Sequence, residues 1–316
     1  MKLSAFKAAA ILAFCGSSLA APTKGTEDLV DAGLYMISGP DPNFDPNGAD
    51  IAKVIKLDTD AALMRTAHIS GTQGFIPEGV VNTLLEEADE AKLDKRVVLG
   101  ADSRYVQTST GWPYSAIGRL TATTSSGTSI CTGWLAGPRH VVAARHCIPS
   151  GGASWRFAPA YDNGERLGGT NVAFVVYYPT GQTGHCNSAY DFAVFVTQDR
   201  IGDRVGWLGT AVPGPYSTGR AIFNNYGYPG DRDGTRRPYM SNGITFTQHS
   251  MCHSGAPVHH NGDTAGGHSG GPLWTVENND LRVYSVHVAG VAGSHNVGAG
   301  GQVFVDMLYS VLYEHP

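Results

Sequence analysis

From Val97 onward the chain breaks into short apolar runs separated by turn-forming residues, and this alternation restricts its fold more than any other feature. The runs are Ile130 to Leu135, His140 to Ala144, Val172 to Tyr178, Phe192 to Thr197, Ala221 to Tyr226, Ile244 to Gln248, Leu273 to Val276, Leu281 to Val288 and Gly301 to Val305. Many of their residues are β-branched or aromatic, and Gly, Pro, Asn or Asp stands between them. Runs of that length and composition read as strands. Repeated over residues 97–316, they fit an all-β barrel or sandwich rather than a βαβ fold. The last stretch, Asp306 to Glu314, carries Met307, Leu308, Val311 and Leu312 at helical spacing and reads as a terminal helix.

What precedes Val97 differs in kind. Met1 to Ala20 has a basic start (Lys2, Lys7), an apolar centre from Ala8 to Phe14 and a small-residue exit at Ser18-Leu19-Ala20, which is the pattern of a secretory signal peptide. Residues 21–96 hold 14 acidic and 7 basic side chains. Their first half, with Pro40, Pro42 and Pro46, reads as loop or disorder. Around Val80 to Leu93, Val81, Leu84, Leu85 and Ala88 recur at helical spacing. The segment closes on Asp94-Lys95-Arg96, a dibasic pair at a sharp change of composition. The expected organisation is a signal peptide (1–20), a propeptide (21–96) removed by a processing protease at Lys95-Arg96, and a mature domain (97–316) whose first residue is Val97. Loss of the signal also removes Cys15, leaving Cys131, Cys147, Cys186 and Cys252, an even set suited to disulfides outside the cell.

Charge excludes several function classes. Net charge is −5 and charged residues are 16% of the chain. No basic stripe suits nucleic acid, and no apolar segment after the signal is long enough to span a membrane. The histidines His185, His253, His259 and His260 cluster in sequence without thiolate or carboxylate spacing. They read as solvent-facing loop residues, so neither metal nor cofactor is expected. A monomer is the default.

Three segments carry chemistry. Val141-Val142-Ala143-Ala144-Arg145-His146-Cys147 ends an apolar run on a histidine. Tyr190-Asp191-Phe192-Ala193-Val194-Phe195 opens one on an aspartate. Asp263-Thr264-Ala265-Gly266-Gly267-His268-Ser269-Gly270-Gly271-Pro272-Leu273 sets one serine among glycines. A serine needs a base to remove its proton, and that base works best when an acid fixes its tautomer and balances its charge. Glycines around a nucleophile let backbone N–H groups turn toward a developing oxyanion.

In this order the motifs resemble the chymotrypsin-like serine peptidases, and more narrowly the glutamyl endopeptidase (V8-like) branch. The likeness extends to Val97-Val98-Leu99-Gly100-Ala101-Asp102-Ser103-Arg104-Tyr105, Cys131-Thr132-Gly133-Trp134 and Gly227-Tyr228-Pro229-Gly230-Asp231. It implies two packed Greek-key β-barrels and a secreted endopeptidase acting on proteins or peptides. In the roles it implies, Ser269 is the nucleophile, His146 the general base and Asp191 its orienting acid. The N–H groups of Gly267 and Ser269 form the oxyanion hole. The family's disulfide beside the catalytic histidine matches Cys131–Cys147, which leaves Cys186 and Cys252 as the second pair.

The branch also implies a preference for Glu, and less so Asp, before the scissile bond. Its recognition set corresponds to Thr264, His287 and the amine of Val97. Glu is scarce after Val97 (only Glu165, Glu277 and Glu314), which is weak support because Lys is absent there too. Two departures stand out. Arg145 precedes the histidine where a small residue is usual, and His268 precedes the serine where many relatives carry Asp. A trypsin-like peptidase of other specificity, using Asp263 at the pocket, is the nearer rival; a protease fold kept only for binding is the other.

Overall fold

The computed structural model describes residues 29–30, 35–38, 51–57, 69–84, 102–249, 252, 255, 257–277, 279–291 and 294–316. The expected signal peptide, Lys95-Arg96, Val97, His253 and residues 85–93 of the expected helix at Val80 to Leu93 lie outside them.

Ahead of the barrels come β1 (Leu29–Val30), β2 (Tyr35–Ser38), β3 (Lys53–Lys56), β4 (Gly71–Thr72) and β5 (Tyr105–Val106). The first barrel comprises β6 (Ile117–Thr124), β7 (Gly127–Gly137), β8 (His140–Ala143), β9 (Ser154–Pro159), β10 (Thr170–Tyr177) and β11 (Ala193–Thr197). Its strands follow the order β11-β8-β7-β6-β9-β10, and pairing of β10 with β11 closes the ring. A short β12 (Gly209–Ala211) leads to the second barrel of β13 (Ala221–Gly227), β14 (Tyr239–His249), β15 (Val258–His260), β16 (Pro272–Glu277), β17 (Asp280–Val291) and β18 (His295–Gly300). Here the order is β16-β13-β14-β15-β18-β17, closed by β16 against β17. The sequence left barrel or sandwich open; closure of both rings decides for two barrels and leaves few free edges.

Three α-helices lie wholly within the described residues: α1 (His185–Ser188), α2 (Gly202–Val205) and α3 (Gln302–Glu314). The run Gly301 to Val305, expected as a strand, begins α3 instead. Gly301 sits at φ 99°, which ends the extended chain of β18, and Val303, Phe304, Met307, Leu308 and Val311 then bury one helical face. Phe304 packs edge-on against Trp134 and Phe192, at 6.4 and 5.1 Å between centroids. The C-terminal helix of the second barrel therefore braces the first barrel beside Asp191. Full burial of such a ring is worth about 2–3 kcal/mol.

Residues 21–96 also depart from expectation. Their first half, expected as loop or disorder, forms strands: β1 pairs with β17, β2 with β7, and β3 lies parallel to β10; β4, in the second half, lies antiparallel to β12. The ring of Phe75 rests on Trp207 at 4.4 Å. Segments of two to four residues become strands when a neighbouring strand supplies the missing hydrogen-bond partners.

Candidate active site

Strand register brings the first two groups together. Ala193 of β11 pairs with Ala143 of β8, so the residues just before β11 and just after β8 leave the sheet at the same end. One of those residues is Asp191. The other chain turns through a short 3-10 segment, Arg145–Cys147, which carries His146. One Asp191 oxygen accepts the His146 backbone N–H at 2.9 Å, and the other lies 2.7 Å from ring Nδ1.

Burial alone would raise the Asp191 carboxyl, but the ring and backbone N–H of His146, with the charge of Arg145, hold it below its ordinary value. An ionised carboxylate can only accept, so Nδ1 carries the proton and Nε2 is left as the basic nitrogen. Arg145 neither crowds β8 nor points idly into solvent. Its guanidinium donates to the Asn187 side chain at 3.1 Å, tying the histidine turn to α1, just ahead of Asp191.

Both disulfides form, Cys131–Cys147 and Cys186–Cys252. The second joins α1 to the second barrel, where Tyr190 Oη also donates to the Cys252 carbonyl at 2.8 Å. The loop bearing Asp191 is thus braced from both barrels.

Ser269 lies between β15 and β16 in a turn closed by His268 N–H to Ala265 C=O at 3.0 Å and Gly271 N–H to His268 C=O at 2.7 Å. Gly267 and Gly270 have φ values of 100° and 92°. A Cβ on Gly267 would collide with the Tyr228 carbonyl oxygen, and one on Gly270 with that of Thr132 and, at 2.9 Å, with Ala143 Cα. The turn bearing Ser269 is therefore pressed onto the middle of β7 and the end of β8. Thr132 holds it there. Its N–H donates to Ser269 C=O at 2.8 Å, and its hydroxyl donates to Gly267 C=O at 2.8 Å while accepting from Tyr228 N–H at 3.1 Å. Nothing in the local sequence around Thr132 signals this role. Gly270→Ala is expected to cost about 3 kcal/mol through this overlap and the positive φ, measured as a fall in the denaturant midpoint of the full chain.

His268 also acquires a role. Its ring is buried under Gly227, where an added Cβ would lie 2.5 Å from the ring. Nδ1 accepts the Ala265 N–H at 3.1 Å. Burial, with Arg104 nearby, pushes its pKa down to about 3. It is a neutral strut inside the turn.

Of the residues implied for substrate recognition, Thr264 and His287 lie among the described residues. Thr264 is half-buried in the loop that carries the serine. His287 is fully buried on β17 and clasped to the nucleophile turn, its N–H donating to Gly271 C=O and its C=O accepting from Gly270 N–H, both at 2.8 Å. Val97 lies outside the described residues.

A chain of hydrogen bonds fixes the His287 ring. Gly262 N–H donates to His260 Nδ1 at 3.3 Å, so the His260 proton sits on Nε2, which faces His287 Nδ1 at 3.3 Å. The His287 proton is then on its own Nε2, a buried atom with no hydrogen-bond partner among the described residues. Burial and the neighbouring His268 and His146 hold His287 far below its ordinary pKa, so the ring is a neutral donor.

His260 was missed as a functional residue, and its reading as solvent-facing is overturned. His259 and His260 belong to β15 and are buried, and His259 stacks on His295 at 3.8 Å. Their neighbours in β14 and β18 are distant in sequence, which hid the burial. Asp263, the residue on which the rival specificity depended, accepts from the backbone N–H and hydroxyl of Ser103 at 2.7 and 2.8 Å. Arg104 bridges Asp102 and Asp231 beside it. Among the described residues, no group of three or more His, Cys, Asp or Glu is arranged to hold a metal ion, and no helix is long and apolar enough to cross a membrane.

Residues 131–281 match the family of trypsin-like peptidase domains. The chain is 26% identical over 250 residues to a glutamyl endopeptidase of Bacillus licheniformis, across 73% of this chain and 75% of that protein. It is 28% identical over 180 residues to a Bacillus subtilis protein named extracellular metalloprotease, across 52% of this chain and 58% of that one. A solved Glu endopeptidase structure superposes with a TM-score of 0.57 at 26% identity, covering 69% of this chain and all of the other.

Proposed function

Starting from a chain that carries a trypsin-like peptidase domain and is a serine endopeptidase, we propose that it cuts peptide bonds after glutamate, and less readily after aspartate, with Ser269, His146 and Asp191 as its catalytic triad. His146 Nε2 takes the Ser269 hydroxyl proton as the oxygen attacks the scissile carbonyl. The resulting oxyanion is met by the N–H groups of Gly267 and Ser269. The same proton then passes to the departing amine, leaving an acyl-enzyme that water hydrolyses by the reverse sequence.

The observation that carries the preference is the His287 Nε2–H, a buried donor without a partner among the described residues. Leaving such a donor unmet is costly, and burying a substrate carboxylate is costly too; pairing them relieves both. Thr264 supplies a second polar group on the pocket wall, and the amine of Val97 would supply a charge. That amine, with an ordinary pKa of about 7.7–8.0, is free only after cleavage behind Arg96, which makes the N-terminal region a propeptide and the uncut chain a latent enzyme. Anchoring of Ser103 on Asp263 supports this, because the segment six residues beyond Val97 is already tied to the pocket loop. Secretion fits the signal-like N-terminus and the two disulfides.

The test is a series of peptides identical except for Glu, Asp, Gln, Arg or Phe before the scissile bond. Glu is expected to be favoured over Gln by about 100-fold in kcat/KM, and His287→Leu to abolish most of that ratio while leaving cleavage after Gln nearly unchanged, since the lost interaction is one charge-assisted hydrogen bond. Preference for Arg would overturn the pocket reading and return Asp263 to consideration.

A further inference from the structure

On one edge, β17 pairs with β16 from Asp280 to Val286. His287 then bonds to Gly271 and Gly270, and beyond that point the neighbouring chain turns away as the nucleophile turn. The opposite edge of β17 is filled by β18 from Ser285 to Val291. No barrel strand therefore covers the nucleophile side of Ala289 to Val291.

β1 does. Leu29 pairs with Val291 and Val30 with Gly290, antiparallel. The strand thus continues the line of β16 on the far side of Ser269, and its chain direction runs from Val291 toward His287. Gly290 is three residues from His287, or about 10 Å along a strand. An extended substrate whose scissile carbonyl rests at Ser269 has its preceding residues on this same open edge, running the same way.

Resting on the assignment of Ser269 as nucleophile, we infer that Leu29–Val30 occupies the edge needed by the residues preceding a scissile bond, so that the attached N-terminal region blocks the cleft as a substrate-like strand. Two residues alone would bind weakly. The remaining contacts hold them in place: β2 on β7 and β3 on β10 in the first barrel, and β4 on β12 beside the second. Tethering of this kind turns a weak contact into an intramolecular one of high effective concentration. Latency then has two separate sources, the missing Val97 amine and an occupied cleft.

The experiment uses the full chain with Lys95→Gln and Arg96→Gln, its intact mass verified, with and without Leu29→Pro/Val30→Pro. Proline removes the ladder N–H without touching the triad. Val30→Pro alone serves as a milder second variant, and cooperative thermal unfolding checks that each chain is folded. Ser269 is labelled with diisopropyl fluorophosphate, which does not need the β17 edge, and with a tetrapeptide phosphonate, which does. The terminal residue of the phosphonate is the one favoured in the peptide series. The ratio of peptidyl to small-reagent labelling rates is expected to rise at least tenfold in the proline variants, with the small-reagent rate unchanged. An unchanged ratio in both folded variants overturns the inference while leaving the catalytic reading intact. Absence of labelling by the small reagent in every chain overturns the catalytic reading and the inference with it.

Discussion

Replacing Ser269 by alanine is expected to lower kcat by about 10⁶, with KM and thermal stability little changed. The size of the effect follows from the division of labour at the site. Without the hydroxyl there is no acyl-enzyme, and His146 has no proton to take; what remains is the oxyanion hole and substrate positioning. For the same reason His146→Ala should cost about as much, and the double variant no more than either single one. Steady-state hydrolysis of the favoured peptide, alongside thermal unfolding, checks this. Additive losses would mean that the two residues do not act on one proton. The substitution should be structurally mild, because Thr132 and Gly271 hold the turn through backbone groups that alanine keeps.

Asp191→Asn is expected to lower kcat by about 10⁴ with the fold intact. One Asp191 oxygen accepts the His146 backbone N–H and the other faces ring Nδ1. Asparagine keeps the first bond with its carbonyl oxygen and must then turn its amide N–H₂ toward Nδ1. A donor there requires Nδ1 to accept, which moves the ring proton to Nε2. The nitrogen meant to deprotonate Ser269 then already carries a proton. Kinetics on the favoured peptide, with KM as the control for binding, test this; a loss below tenfold would show that tautomer control by Asp191 is not what makes His146 a base. The surrounding braces, the Arg145–Asn187 bond and the Cys186–Cys252 bridge, are independent of the carboxylate charge and should hold the geometry in the variant.

Much of the site was legible because its chemistry is local. Histidine at the end of one apolar run, aspartate at the head of another and serine among glycines each show in a few residues, and the strands that present them announce themselves by composition. What escaped was non-local. Gly301 to Val305 is apolar enough for a strand, and the positive φ at Gly301 and the packing of Phe304 against Trp134 and Phe192 make it a helix. His259 and His260 look like loop residues until β14 and β18 close over them. The strands of residues 29–72 are only two to four residues long, too short for a pattern of their own, since their pairing partners lie far along the chain.

The sequence by itself determined that the chain would build β-barrels or a sandwich, that its cysteines would pair, and that a serine, a histidine and an aspartate were available in a usable order. Tertiary structure decided the rest. The Ala193–Ala143 register set Asp191 beside His146, Thr132 fastened the turn bearing Ser269 to the first barrel, and the Gly262–His260–His287 chain placed the His287 proton on its buried Nε2. The same packing placed β1 on the open edge of β17. Hydrogen-bond direction and edge occupancy depend on groups tens to hundreds of residues apart, so no local pattern encodes them; they exist only once both barrels have closed.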